Sequence, residues 1–286
     1  MADNKKAATR LTIHYAFIQA TYNMSYCCLV NFASVFLLSR SFSNSEVGLT
    51  LTLANLLTIV TQPAIAAFAD KHRKIPLSRI VSALIAISMA LACIVLFLPP
   101  IVLPTAILYL VLVSVLSNEM SLITSMSMEH INSGVPLNFG LGRGFGSLAF
   151  AVLSFFMGFV AEKAGSWIAL PAFLGISAAA IFLSWFFPAA KVPPVLGGAV
   201  PQTGGKASGL WQFARKNTRY MVTVFALMLV YFCNTSINTF AIQIVRHLGG
   251  NSGEMGIAIG IAALVELPAM ALFPLVLRKW KSPGLI

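Results

Sequence analysis

Eight apolar stretches, each about 20 residues or longer, follow one another along this chain with only short polar connections between them. A bilayer's hydrocarbon core is about 30 Å thick, and a helix of roughly 20 apolar residues crosses it. The stretches cover 11–39, 47–68, 78–98, 101–125, 136–161, 167–187, 220–244 and 253–277. Lipid offers backbone groups no hydrogen-bond partner, so each stretch is predicted to be a helix. None alternates with the period of a barrel strand. The first stretch is too long for a signal-peptide core and has no small-residue cleavage site, so it is predicted to be retained. With 58% hydrophobic and 9% charged residues, the sequence predicts an all-α, polytopic membrane protein. Its function must then reside in the few polar groups kept inside the bilayer.

Charge orients the spans. Lys5, Lys6 and Arg10, then Lys71, Arg73, Lys74 and Arg79, then Lys191, Lys206, Arg215, Lys216 and Arg219, then Arg278, Lys279 and Lys281 all fall on one side. The opposite connections hold only Arg40, Lys163 and Arg246, each near an acid: Glu46, Glu162 or Glu254. By the positive-inside rule the amino terminus is expected in the cytoplasm of a cell (plasma or inner) membrane. The net charge of +11 is accordingly assigned to topology and anionic lipid. Because the bases are spread over four segments, no nucleic-acid partner is expected.

Residues 188–219, rich in Gly and Pro, read as a linker by composition. They divide the chain into an expected six-helix bundle over 1–187 and two further helices over 220–286. Two six-helix sets joined by such a linker are a transporter layout, so the chain is expected to hold eight helices of twelve and to stop early. Cys27, Cys28, Cys93 and Cys233 all lie in spans without metal-ligand spacing, which predicts buried thiols and no metal. No phosphate-binding glycine loop, His-Glu-x-x-His run or nucleophile with a base is present, so neither an enzyme nor a cofactor is expected.

Ionisable residues inside a membrane are costly and are functional candidates by default. Three qualify: Glu119 in the fourth span, Arg143 in the fifth and Glu266 in the eighth. A carboxyl group in such a place can exchange a proton as access alternates. Glu119 and Arg143 are expected at similar depths on consecutive helices, either as a working pair or as a static one. Glu266 has no evident partner in the sequence. Gln19 and Asn23 are four residues apart, as are Asn234 and Asn238, so each pair shares a helix face. Their amides could line a cavity or bond between helices. Gly140, Gly142, Gly144 and Gly146 make two overlapping G-x-x-x-G registers, which favour close helix approach.

Two stretches resemble the major facilitator superfamily, in its oligosaccharide–proton symporter (lactose permease-like) branch. The first runs from Ser43 to Gly48, through Gln62 and Pro63, to Asp70, Lys71, His72, Arg73 and Lys74. Asp70, Lys71 and Lys74 match the superfamily's loop signature, while Ala66 and Arg73 stand where glycines are usual. The second is the run from Phe139 to Phe150 around Arg143. The resemblance implies that Asp70, Lys71, Arg73 and Lys74 form a gating loop. It also implies that Arg143 contacts the solute, with Phe150 where that branch carries its sugar-stacking tryptophan. The branch's fourth-helix glutamate falls on Ser125, and its seventh-helix aspartates give way to Asn234, Ser236 and Asn238.

The function expected from the resemblance is proton-coupled symport of a sugar, oligosaccharide or other small polar solute, by a monomer, through alternating access. Aromatic acids, nucleosides and drugs are the alternative cargoes. A non-transporting sensor, assembly partner or truncated product is the alternative outside transport.

Overall fold

Local chemistry, more than hydropathy, decides where these helices begin and end. The computed structural model describes residues 2–190, 215 and 217–279. Its first helix, α1 (Ala2–Tyr26), widens into a π-helical turn at Cys27–Asn31 and continues as α2 (Ala33–Ser39). The two parts bend by 42° and together make one broken span. Tyr109 OH donates to Leu29 O at 2.6 Å, so a carbonyl of the widened turn has a buried partner. Next come α3 (Asn44–Lys71), α4 (Leu77–Phe97), α5 (Val102–Asn132) and α6 (Phe139–Ala164). A 3₁₀ turn, Ser166–Ile168, leads into α7 (Ala169–Trp185), and α8 (Thr218–Thr239), α9 (Ala241–His247) and α10 (Ser252–Lys279) complete the described chain. Among the described residues six helices, and the bent α1–α2 pair as a seventh, are long and apolar enough to cross a membrane; α10 adds an apolar stretch, Ser252–Val265.

Two of the acids noted beside the sparse bases, Glu46 and Glu254, turn out to start helices, while Glu162 lies in the last turn of α6. Ser43 and Glu46 form a capping box at the head of α3. At the head of α10, Asn251 Oδ1 accepts from Glu254 N, and Glu254 Oε2 accepts from Asn251 N, both at 3.0 Å. Asn138 Oδ1 accepts from Leu141 N at the start of α6, which stops at Gly165, where φ is +93°. Arg40 finishes α4: its guanidinium donates to the carbonyls of Leu98, Val95 and Leu96 at 2.7–3.3 Å, satisfying groups that a helix end leaves open.

Packing joins α1 to α6 and α7, α4 to α5 and α7, and α3 to α5. The tightest seam lies between α6 and α10. A methyl group on Gly256 would come within 2.5 Å of Ser154 O, and one on Gly158 within 2.8 Å of Ser252 O. Small residues let the two backbones touch. Phe187, just past α7, sits edge-on between the rings of His14 and His130, 5.3 Å from each. His14 Nε2 bonds to Leu183 O and His130 Nε2 to Pro188 O, so α1 and α5 together hold the point where 191–214 departs. The expected linker lies largely in that undescribed stretch.

Candidate functional site

The polar residues singled out in the sequence lie on α1, α5, α6, α8 and α10. On α1 a chain of side chains runs up one face: Gln19 Nε2 donates to Tyr15 OH at 2.6 Å, and Asn23 Nδ2 to Gln19 O at 2.8 Å. The glycines of α6 are what let it lie against this face. A methyl on Gly142 would meet the Tyr15 ring at 2.5 Å, and one on Gly146 would meet Asn23 Nδ2 at 2.6 Å. Arg143, between them in sequence, is only partly buried.

Glu119 and Arg143 do not pair. Glu119 is 3% exposed and accepts from Ser88 Oγ on α4 at 2.9 Å. Arg143 Nη1 reaches Met120 Sδ, the next residue, at 3.5 Å. Arg143 thus reaches the residue next to Glu119, but consecutive helical residues point about 100° apart. Met120 faces α6 while Glu119 turns to α4. Among the described residues Arg143 has no carboxylate within ion-pair distance.

Asn238 Nδ2 donates to Asn234 Oδ1 at 3.0 Å and to Asn234 O at 2.9 Å, so this pair occupies one face of α8 as its spacing predicts. None of the apolar window of α8 is buried, and Asn234 is exposed. Phe150 is partly buried against the core on α6. Glu266 lies on α10, but its side chain falls outside the described residues. Tyr22 and Tyr26 on α1 stand 6.2 Å apart, within electrostatic reach of the Tyr231 hydroxyl on α8, and Tyr22 is also within reach of Glu119 and Arg143. These tyrosines carried no sequence signal beyond their four-residue spacing.

At the basic end of the bundle Asp70, Arg73 and Lys74 line a cleft of about 770 Å³ together with Glu129 and His130 of α5. Glu129 is within electrostatic reach of both Arg73 and Asp70. Lys71 is the last residue of α3 and is exposed outside this lining. The loop acid and its bases thus stand where α5 ends, and an acid from α5 joins them.

Besides the α6–α10 seam, polar contacts between α1–α7 and α8–α10 gather at the opposite end. Ser34 Oγ donates to Thr239 O; Gln243 Nε2 donates to Asn44 Oδ1 at 3.3 Å, and Asn251 Nδ2 to Glu162 Oε1 at 2.9 Å. Phe240, between α8 and α9, rests on Gly48, where an added methyl would meet its ring at 3.2 Å. A further polar set links α3 to α5: Asn118 Nδ2 donates to Thr61 Oγ1, and Thr58 Oγ1 to Ser114 Oγ.

Residues 8–281 match a family model described as the MFS_1 like family. No curated protein matches the sequence. The fold is similar to that in a crystal structure of a mutant of the nucleoside transporter NupG, with a TM-score of 0.75 and 12% identity, covering 94% of this chain and 69% of that one.

Proposed function

This chain belongs to the MFS_1 like family and is a multi-pass membrane transporter of the secondary type; from that premise we propose that it carries a small polar solute, a sugar or oligosaccharide first, coupled to inward proton flow. The observation that carries the reading is Arg143. A guanidinium inside a membrane protein needs a partner, and among the described residues this one has only a thioether sulfur. Hydroxyl groups of a sugar, or a carboxylate, would complete it. Asn23, Asn234 and Asn238 offer amides on the facing helices, Phe150 an aromatic surface, and Glu266 an acid on α10.

In this reading residues 1–187 and 220–286 belong to two bundles that rock about the solute, joined by the 188–219 linker. The basic end faces the cytoplasm of the cell membrane. The bundles meet at the far end, through Ser34, Asn44 and Glu162, which corresponds to the inward-open stage of alternating access. Asp70, Lys71, Arg73 and Lys74 act as the gate at the basic end, with Glu129 as their counterpart. The working unit is a monomer.

A second reading, a nucleoside as cargo, has its own observation. Tyr26 and the exposed Tyr231, within electrostatic reach of each other, offer aromatic faces that could stack on a base, and the fold neighbour is titled a nucleoside transporter. Reconstituted protein with an imposed pH gradient, offered radiolabelled disaccharides and nucleosides in turn, tests both. Gradient-driven accumulation of a disaccharide supports the first, and of a nucleoside the second. Accumulation of neither, by protein that remains folded, removes both.

A further inference from the structure

The first helices also border a small space, separate from the cleft at the basic end. It lies between α1, α4, α5 and α7, lined by Thr21, Tyr22, Ser25, Glu119 and Ser184 among apolar neighbours, and measures about 10 Å³. That is close to the room one water molecule needs. Two polar groups are left for such a water. Ser184 Oγ is fully buried and has no hydrogen-bond partner. Glu119 accepts from Ser88 Oγ on one oxygen, and the other has no protein partner among the described residues.

The remaining hydroxyls are already engaged. Thr21 Oγ1 donates to Phe17 O and Ile18 O, and Ser25 Oγ is 3.5 Å from Ser177 Oγ. Hard metal cations such as calcium and magnesium take about six oxygens or more, and two free ones fall well short. A carboxyl group with one fixed donor and one water is served in both protonation states. Ionised, it accepts from Ser88 and from the water; protonated, it still accepts from Ser88 and donates to the water, which passes a hydrogen bond to Ser184 Oγ. From α1 the titratable group facing it is Tyr22; α4 and α7 present only Ser88 and Ser184; and the cation of α6, Arg143, is turned to Met120.

We propose that Glu119 is a buried protonation site, exchanging its proton through a water held in this small space against Ser184, and distinct from the solute site on the Arg143 side. The proton leaves a hydronium, an O–H bond forms on the free Glu119 oxygen, and the water stays behind; nothing is oxidised or reduced. Tyr22 stands between the two sites, lining the small space within electrostatic reach of Arg143 and Tyr231. A solute that draws Arg143 away from Met120 would thereby be felt at Glu119. This deepens the transporter reading and supplies the coupling residue that it needs.

Infrared spectroscopy of the purified full chain in lipid tests it without any solute. The probe is the C=O band of a protonated carboxyl group, followed as pH is stepped in potassium chloride and again in sodium chloride. The expected result is a titrating band in the wild type that Glu119→Gln removes. Ser184→Ala is expected to displace the titration midpoint while leaving the band, and the two salts are expected to give the same curve. Identical spectra for wild type and Glu119→Gln at every pH would overturn the proposal, as would a midpoint untouched by Ser184→Ala. Loss of the band in sodium but not potassium would overturn it in favour of a metal-ion site. Should Ser184→Ala misfold, Ser184→Cys serves in its place. A protein that titrates here yet moves no solute would sink the transporter reading and leave this site standing.

Discussion

The Asn251 side chain ties two helices with opposite ends of one amide. Its Nδ2 donates to Glu162 Oε1 at the close of α6, at 2.9 Å, while its Oδ1 caps α10 through Glu254 N. The residue that starts α10 is therefore the residue that fastens α10 to the first group of helices.

The two roles separate by substitution. Asn251→Asp keeps the capping oxygen, and a cap is worth about 1 kcal/mol, but it sets a carboxylate against Glu162. Asn251→Ala loses both. We expect both variants to loosen the closed end, with only the alanine also losing helix stability. A Ser34→Cys reporter, placed at the buried Ser34–Thr239 contact, should react faster with a thiol reagent in both backgrounds. Unchanged labelling in Asn251→Asp would show that the amide bridge holds nothing shut.

Glycine content does not by itself mark the seam; position does. Gly256→Ala drives a methyl against backbone, 2.5 Å from Ser154 O and 2.8 Å from Gly158 Cα, so neither helix can yield by turning a side chain. Overpacking of this kind costs about 1–3 kcal/mol. Gly175→Ala on α7 meets nothing within 4 Å and should gain up to about 1 kcal/mol of helix propensity. Thermal unfolding in detergent should move in opposite directions for the two variants. A shared direction would mean that the α6–α10 contact is not under this constraint.

Much of this arrangement is legible in the sequence, and the parts that are not have identifiable causes. Apolar runs locate the spans: among the described residues seven of the eight appear at membrane length, the first as a bent pair, and the eighth as α10 with its shorter apolar stretch Ser252–Val265; they do not locate helix ends, which depend on caps and breakers. The fourth span reads as ending near residue 125, whereas α5 runs on to Asn132 because the first break is Gly134, where φ is +85°. That Glu119 and Arg143 lie on consecutive spans is legible, but their direction is not, since one residue of helical phase sends the acid to Ser88 and its neighbour to the arginine. Ser88 and Ser184 are single hydroxyls in apolar spans, and only the fold reveals that one serves the carboxylate and the other has no protein partner. The π-helical turn is equally silent in sequence, because it is fixed by Tyr109 from a distant helix.

Tyr109→Phe should accordingly weaken the break in the first span. The hydroxyl is its only polar atom, fully buried, and its loss leaves Leu29 O without that donor. Removing one partner of a buried hydrogen bond costs about 1–3 kcal/mol, while the ring, stacked 5.7 Å from Phe36, stays in place. A lowered unfolding temperature with little change in helix content by circular dichroism is the expected pair of results. No change in unfolding temperature would mean that the turn is held by the chain around it rather than by this bond.

Arg143 offers the sharpest separation between a structural and a transport role. A residue that holds helices together loses stability when truncated; among the described residues Arg143 hydrogen-bonds to the Met120 sulfur at 3.5 Å, a bond too weak to matter much to the fold. Arg143→Ala should leave the unfolding temperature within a degree or two of wild type and lower solute uptake by about tenfold or more, the equivalent of one charged hydrogen bond of roughly 1.4 kcal/mol or above. Arg143→Lys keeps the charge but not the planar fork, so it should recover part of the uptake if the solute presents a carboxylate, and little if it presents paired hydroxyls that need both guanidinium nitrogens. Parallel loss of stability and uptake in Arg143→Ala would return Arg143 to a structural role and leave the solute site to be sought elsewhere between the helices.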